Sequence, residues 1–263
     1  MIRLVSLDVD GTLLNEQSRL TPGVMRAVRV AVRAGLHLVV ATGRSFSSTE
    51  AILNELAVPY TLISSSGAQI IIQGQVAAAL SFPPEQAGQI FNLALSHASG
   101  LFIDQPQRDV WVGNEAYIEP YKKVNFGAPA ENLEEVLSPA PIKISVVNER
   151  PLLEHFRQYW STIYPDIHLT FPFENVLDIT PAGATKGNAL QIVCDQLGID
   201  LVEVAAVGDS ENDLSMFARC GLSIAMGNAS EAVKQAADWV APSNSQDGVA
   251  WTLEKILEMN AGG

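Results

Sequence analysis

Asp8 and Asp10 stand two positions apart at the end of a short apolar run, in MIRLVSLDVDGTLL. Ile2, Leu4, Val5, Leu7 and Val9 suit a strand buried in a parallel sheet, where a pair of terminal carboxylates needs a reason. Neighbouring anions repel each other and resist desolvation, so they require water, a cation or chemistry beside them. One chemistry fits. A carboxylate can attack phosphorus and form an aspartyl-phosphate while the other handles protons, provided the charge of the phosphate is neutralised. Magnesium supplies that neutralisation, because it combines one or two carboxylates with water and phosphate oxygens. An Asp-Gly turn after a strand is the alternative for DVDGT alone. An EF-hand counted from Asp8 fails, since Leu13 and Arg19 stand where Gly and Glu are needed.

Three further segments could complete such a site. GDSENDLSM places Asp209, Asn212 and Asp213 at the mouth of a helix, where carboxylates can help hold a metal and an amide can contact a phosphate. A helix start rich in capping residues has the same composition. An EF-hand fails here too, with Leu214 and Cys220 at its sixth and twelfth positions. In PAGATKGNAL, Lys186 precedes Gly187 at a helix start, which suits a point charge beside a phosphate and equally a solvated lysine; the glycine spacing is not that of a Walker A loop. In ATGR, the Thr42 hydroxyl can bond a phosphate oxygen, Gly43 allows close backbone approach, and Arg44 reads equally as a surface cation.

These residues need elements to bring them together. From the start to about residue 80, short apolar runs alternate with helical patterns, as in a doubly wound α/β sheet. Thr21 and Pro22 mark a helix start, Val24, Val28 and Ala31 follow at helical spacing, and Gly35 suits its end. Strands are expected at HLVVAT and TLISSS, then a hairpin turning at Gly74. Alternation resumes after about residue 181 with a helix over NALQIVCDQLG, a strand EVAAVGD, a helix DLSMFARCG and a strand LSIAM. The polar groups Asp8, Thr42, Ser64 to Ser66 and Asp209 all lie at carboxyl ends of strands. In an open parallel sheet those ends share one edge, so distant residues converge on one crevice.

Residues 81–180 differ, holding 13 of the 18 aromatic residues and 10 of the 14 prolines, with strand-like DVWVG and IKISVV and helix-like PLLEHFRQYWSTIY. They read as a second domain inserted into a core of 1–80 and 181–263, with joints near SFPP and ITPAG. Six basic residues lie there (Arg108, Lys122, Lys123, Lys143, Arg150 and Arg157), mostly expected to be solvated, with one or two left to meet an anionic group on a substrate.

The formal charge of −13 argues against nucleic acid or an anionic membrane surface as partner, though not against a small anion. Cys194 and Cys220 lack zinc spacing, the four histidines are scattered, and no apolar stretch is long enough for a membrane helix. The expectation is a cytoplasmic protein with no obligate protein partner.

DVDGT, ATGR, TKG and GDSENDLSM, in that order, resemble the haloacid dehalogenase superfamily, and the wider similarity is to its Cof-type sugar-phosphatase-like family. TPGVMRAVRVAVRAG, IAMGNASEAVKQAADWVAPSNSQDGVA and the position of the inserted segment share in it. The resemblance implies a doubly wound parallel-sheet core with an α+β cap, and a magnesium-dependent phosphatase acting on a small phosphorylated metabolite. By the same resemblance Asp8 is the nucleophile and a metal ligand. Asp10 is the general acid and base and binds the metal through its backbone carbonyl. Asp209 completes the ligands, Asp213 stands behind them, and Thr42, Gly43, Lys186 and Asn212 hold the phosphate. One departure is Ser66 where the family often has Asn, before Gly67 and Ala68. A phosphomutase or a non-catalytic phosphate-binding module would keep the same residues; products separate the first and metal-dependent turnover the second.

Overall fold

A computed structural model describes residues 1–122 and 127–262, so Lys123 lies outside the described residues. The first half supplies β1 (Leu4–Leu7), β2 (His37–Ala41), β3 (Thr61–Ser64), β4 (Gln69–Ile72), β5 (Gln75–Ala79), β6 (Gly100–Gln105), β7 (Arg108–Gly113) and β8 (Ala128–Pro129). The second supplies β9 (Lys143–Val147), β10 (His168–Phe173), β11 (Val176–Thr180), β12 (Val204–Gly208), β13 (Leu222–Ala225) and β14 (Trp239–Val240).

One sheet runs β14-β13-β12-β1-β2-β3-β4-β5, parallel as far as β3 and closed by antiparallel β4 and β5. The hairpin turns at Gln73 and Gly74, both at positive φ (52° and 75°), as a two-residue turn between twisted strands demands. Central β1 is buried on both faces. Val5 and Leu7 pack with Val24, Val28 and Leu253 from helices Pro22–Arg33 and Gly248–Gly262, whereas Leu4 joins Leu190, Val193 and Met216 on the opposite face. The first helix starts as its sequence dictates, with Thr21 Oγ1 accepting the Val24 N–H at 3.1 Å. Successive strands β2 and β3 lie to one side of β1, and β12, β13 and β14 to the other. A crevice therefore opens at the carboxyl ends beside β1 and β12.

The second sheet, β10-β11-β9-β6-β7-β8, is mostly antiparallel, and all its strands come from residues 100–180. One face carries helices Pro84–Ser96 and Arg150–Ile163, packed through Phe91, Leu101, Ile144, Phe156, Trp160 and Leu177. Its other face lies over the carboxyl edge of the first sheet. The chain is thus an α/β fold with a parallel-sheet core and an α+β second layer.

Two expected helices differ in extent. The helix expected from Asn188 starts at Lys186, because Thr185 Oγ1 accepts the Asn188 N–H at 3.1 Å and so caps it earlier. The helix expected over DLSMFARCG is one short segment, Leu214–Phe217, preceded by a tight turn over Glu211–Asp213. Its continuation stops where the Gly221 N–H turns to Leu201 and Val204 carbonyls, tying the chain to the start of β12. No helix among the described residues is long and apolar enough to cross a membrane.

Candidate active site

Asp8 follows β1 directly and opens a wide turn, closed by the Leu13 N–H on the Asp8 carbonyl (3.2 Å) and the Leu14 N–H on that of Val9 (2.9 Å). Such five-residue bonds are rare and concentrate at functional sites. The turn keeps Asp8 buried and sends Asp10 outward to solvent. Gly11 is obligatory here, since its φ is +77° and a Cβ would lie 2.2 Å from Asp209 Oδ2.

Lys186, also buried, gives its ammonium to Asp8 Oδ1 (2.6 Å), Asp213 Oδ1 (2.7 Å) and Asn212 Oδ1 (3.1 Å). Those acceptors use all three of its donors. The other Asp213 oxygen accepts the backbone N–H groups of Asp209 and Ser210, each at 3.0 Å, so Asp213 ties the loop after β12 to Lys186. Asp209 receives the Thr12 hydroxyl (3.3 Å) and the Asn228 amide (3.4 Å), and that amide also donates to the Gly11 carbonyl at 2.9 Å.

Burial drives Asp8 well above the usual carboxylate range; Lys186 opposes the rise, and the Asp213 charge adds to it. Asp209 is pushed up to about 6, by burial first and then by Asp213. Burial works to lower Lys186, but the charges of Asp213 and Asp8 outweigh it, so its pKa is raised and the lysine stays charged.

Carboxylate oxygens from Asp8, Asp209 and Asp213 lie within 4.8 Å of one another. This is a hard-oxygen donor set carrying more negative charge than Lys186 balances, and it fits a magnesium ion. Both Asp213 oxygens are already occupied by the lysine and the backbone, which leaves Asp8 and Asp209 as the carboxylates able to turn to a cation.

The Asp10 side chain does not join this cluster. Arg44 grips it through both oxygens, at 2.6 and 2.7 Å, and so is part of the site rather than an isolated surface cation. Thr42 is fully buried behind the cleft wall, its hydroxyl oxygen accepting the Arg44 N–H at 3.1 Å. Gly43 does face the cleft: a Cβ there would lie 3.4 Å from Ser66 Oγ and 3.9 Å from Asn212 Nδ2. Ser65 and Ser66 both adopt left-handed φ, 49° and 58°, a conformation Asn tolerates better than Ser. Bonds from the Ser65 N–H to the Arg44 carbonyl (2.8 Å) and from the Ser66 N–H to that of Thr42 (3.0 Å) hold them there.

The cleft between the two sheets measures about 910 Å³ and reaches from Asp8, Asp10 and Asp209 to Arg150, Arg157 and Phe173. Its wall includes one cation of residues 81–180 that is not solvated. Lys143 is buried, donates to the Gly43 carbonyl at 2.7 Å and pairs with Asp104 (3.2 Å) and Asp178 (3.7 Å). Asp104 accepts the Ser65 hydroxyl at 2.7 Å, and Asp109 accepts those of Ser45 (2.6 Å) and Ser47. A lone lysine opening IKISVV and a lone aspartate within VLDIT, both in apolar strands, were the available signals for Lys143 and Asp178. Asn228 left none, because its role depends on a fold that returns it to Gly11.

The sequence profile described as haloacid dehalogenase-like hydrolase matches residues 5–253. A Bacillus subtilis protein named 5-amino-6-(5-phospho-D-ribitylamino)uracil phosphatase YcsE is 27% identical over 256 residues, covering 95% of this chain and 93% of its own. Phosphatase YwpJ of the same organism is 28% identical, with 97% and 100% covered. The solved structure of a haloacid dehalogenase-like hydrolase from B. subtilis superposes with a TM-score of 0.86 at 26% identity, covering 96% of this chain and 99% of that one. With a profile match over nearly the whole chain and the same fold around these carboxylates, the protein belongs to the haloacid dehalogenase-like hydrolase family.

Proposed function

We propose that this haloacid dehalogenase-type phosphatase hydrolyses a small phosphate monoester, a sugar phosphate or similar metabolite, through a phosphorylated Asp8. The observation that carries the reading is the placement of the Asp8 carboxylate. It sits at the carboxyl end of the central strand, 2.6 Å from Lys186 Nζ and grouped with Asp209. The phosphatase names of full-length relatives support the same class of reaction.

Asp8, Asp209 and the Asp10 backbone carbonyl would hold magnesium, which when bound supplies the positive charge that lets an anionic nucleophile meet an anionic phosphate. An Asp8 oxygen forms a bond to phosphorus as the ester P–O bond breaks in line, and the leaving oxygen takes a proton from Asp10. Water then attacks phosphorus and gives a proton to the ionised Asp10. The Asp8–phosphorus bond breaks, releasing orthophosphate and restoring the carboxylate. Lys186, Asn212 and the backbone beside Gly43 offset the phosphate charge. Because Arg44 occupies both Asp10 oxygens, Asp10 must turn from it to reach the leaving oxygen, and a phosphate arriving beside Arg44 competes for the guanidinium.

Residues 81–180 act in this reading as the substrate-selecting cap, since every strand of the second sheet lies within them and its inner face lines the cleft. Orthophosphate release from an ester panel tests the proposal, with magnesium, with chelator and with Asp8→Asn. Magnesium-dependent release that vanishes in the variant is the expected result. Turnover that survives Asp8→Asn, or an isomerised ester in place of orthophosphate, overturns it.

A further inference from the structure

Three consecutive carbonyls in the turn after β2 are each held by a hydrogen bond. The Thr42 carbonyl accepts the Ser66 N–H at 3.0 Å and the Arg44 carbonyl accepts the Ser65 N–H at 2.8 Å, both from the loop after β3. The carbonyl between them, on Gly43, accepts Lys143 Nζ at 2.7 Å, and Lys143 opens β9 of the second sheet, 100 positions along the chain.

That bond fixes one peptide group. The carbonyl of the Gly43–Arg44 peptide is held by Lys143, and its N–H donates to Thr42 Oγ1 at 3.1 Å, so the plane is gripped at both ends. A glycine beside it would otherwise leave that plane unusually free to turn. On one side of the peptide stands Gly43, whose N–H has no partner among the described residues and can meet a phosphate oxygen. On the other stands Arg44, whose guanidinium grips Asp10.

Lys143 is itself built in rather than draped over the turn. It stands on the strand between β11 and β6, 3.2 Å from Asp104 on β6 and 3.7 Å from Asp178 on β11. Burial works to lower its pKa, but the charges of Asp104 and then Asp178 outweigh that, so the ammonium stays charged. Asp104 in turn accepts the Ser65 hydroxyl at 2.7 Å, and the Ser65 N–H holds the Arg44 carbonyl. Gly43, Lys143, Asp104, Ser65 and Arg44 therefore form a closed ring of contacts that crosses twice between the two sheets. A charge-assisted bond shielded from water is stronger than a neutral one, which suits it to setting a backbone plane.

We infer that Lys143 is a positioning residue for the phosphate, supplied by residues 81–180: by holding the Gly43 carbonyl it sets the Gly43–Arg44 peptide, and the phosphate end of the cleft is complete only while the second sheet lies over it. This rests on the phosphatase reading and adds a residue to it. The ammonium is committed to Gly43 and two carboxylates rather than to the ester, so its influence is the same whatever leaving group the ester carries.

The test separates positioning from charge balance. Orthophosphate binding with magnesium is measured by titration calorimetry for the parent, for Lys143→Met, and for Lys143→Met combined with Asp104→Asn. The same proteins are assayed for kcat and KM on acetyl phosphate and glucose 6-phosphate. Met keeps the apolar stem of Lys and removes the donor. Lys143→Met should weaken orthophosphate binding by about tenfold, the loss of one charge-assisted bond. It should lower kcat/KM for both esters by factors that agree within about twofold. In the double variant Asp104 no longer stands charged without its partner, so Tm should rise above that of Lys143→Met while orthophosphate affinity stays low. Recovery of both together means that Lys143 only balances Asp104, and overturns the inference. An orthophosphate affinity within about twofold of the parent in Lys143→Met overturns it too. So does a loss confined to glucose 6-phosphate, which would set the lysine against the leaving group. If Lys143→Met does not fold, the double variant carries the comparison with the parent. A parent that hydrolyses neither ester refutes the phosphatase reading instead, and the orthophosphate titration still decides the role of Lys143.

Discussion

Replacing Asp109 by Asn should flatten the dependence of stability on pH. Asp109 lies on β7, partly buried, where it accepts hydrogen bonds from the Ser45 and Ser47 hydroxyls of the facing loop. Burial, followed by the nearby Asp104 charge, raises it from 3.8 to about 7. A carboxyl whose pKa is higher folded than unfolded binds its proton more tightly in the folded state. Its stabilising contribution is complete below pH 3.8 and is lost as pH rises through about 7. With those two values, linkage removes roughly 2 to 3 kcal/mol between pH 5 and pH 8. At roughly 2 °C per kcal/mol for a chain of this length, that is about 5 °C in Tm. Asn keeps an acceptor for the two serines without the titration. Scanning calorimetry of the two proteins at fixed magnesium, from pH 5 to 8, should show the Asp109→Asn variant gaining about 5 °C relative to the parent across the series. Parallel Tm curves would refute the reasoning, because they would mean that Asp109 ionises freely in the folded chain.

Asp10→Asn should lower kcat by about 10² to 10⁴ while Asp8 still becomes phosphorylated, and rapid-quench mass spectrometry distinguishes the two effects. Lys186→Met removes the cation buried between Asp8 and Asp213, so urea unfolding in chelator should show a loss of about 3 to 5 kcal/mol. An unchanged midpoint would mean that the two carboxyls are neutral without it. Gly11→Ala should disrupt the site more than the fold, since the new methyl meets Asp209; a weakened magnesium-induced rise in Tm is the readout. Ser66→Asn should be neutral or stabilising by up to about 1 kcal/mol, given its left-handed backbone, and a clear loss by urea unfolding would place the strain elsewhere.

The parallel core was legible because its evidence is local. β1 and β2 are apolar runs, Thr21 and Pro22 start a helix, and Gly74 supports a hairpin wherever it occurs. The meeting of Asp8 with Asp209 and the Asn212–Asp213 turn was legible too, since strands of one parallel sheet present their carboxyl ends along a common edge, whereas Lys186, which follows a strand of the second sheet, was placed with them only by the family resemblance. Spacing in the sequence could not say which group each charge would meet. Asp10 faces Arg44 rather than Asp8 because a five-residue turn rotates it outward, and that turn packs Gly11 so close to Asp209, some 200 positions away, that no side chain fits there. Lys143 looked like a solvated cation because its burial comes from pairing between β9 and β6 and from a second sheet lying over Gly43. Composition and periodicity fix what a segment can form by itself. The partner of a charge is set by long-range register and by how two sheets meet, and those are properties of the tertiary structure.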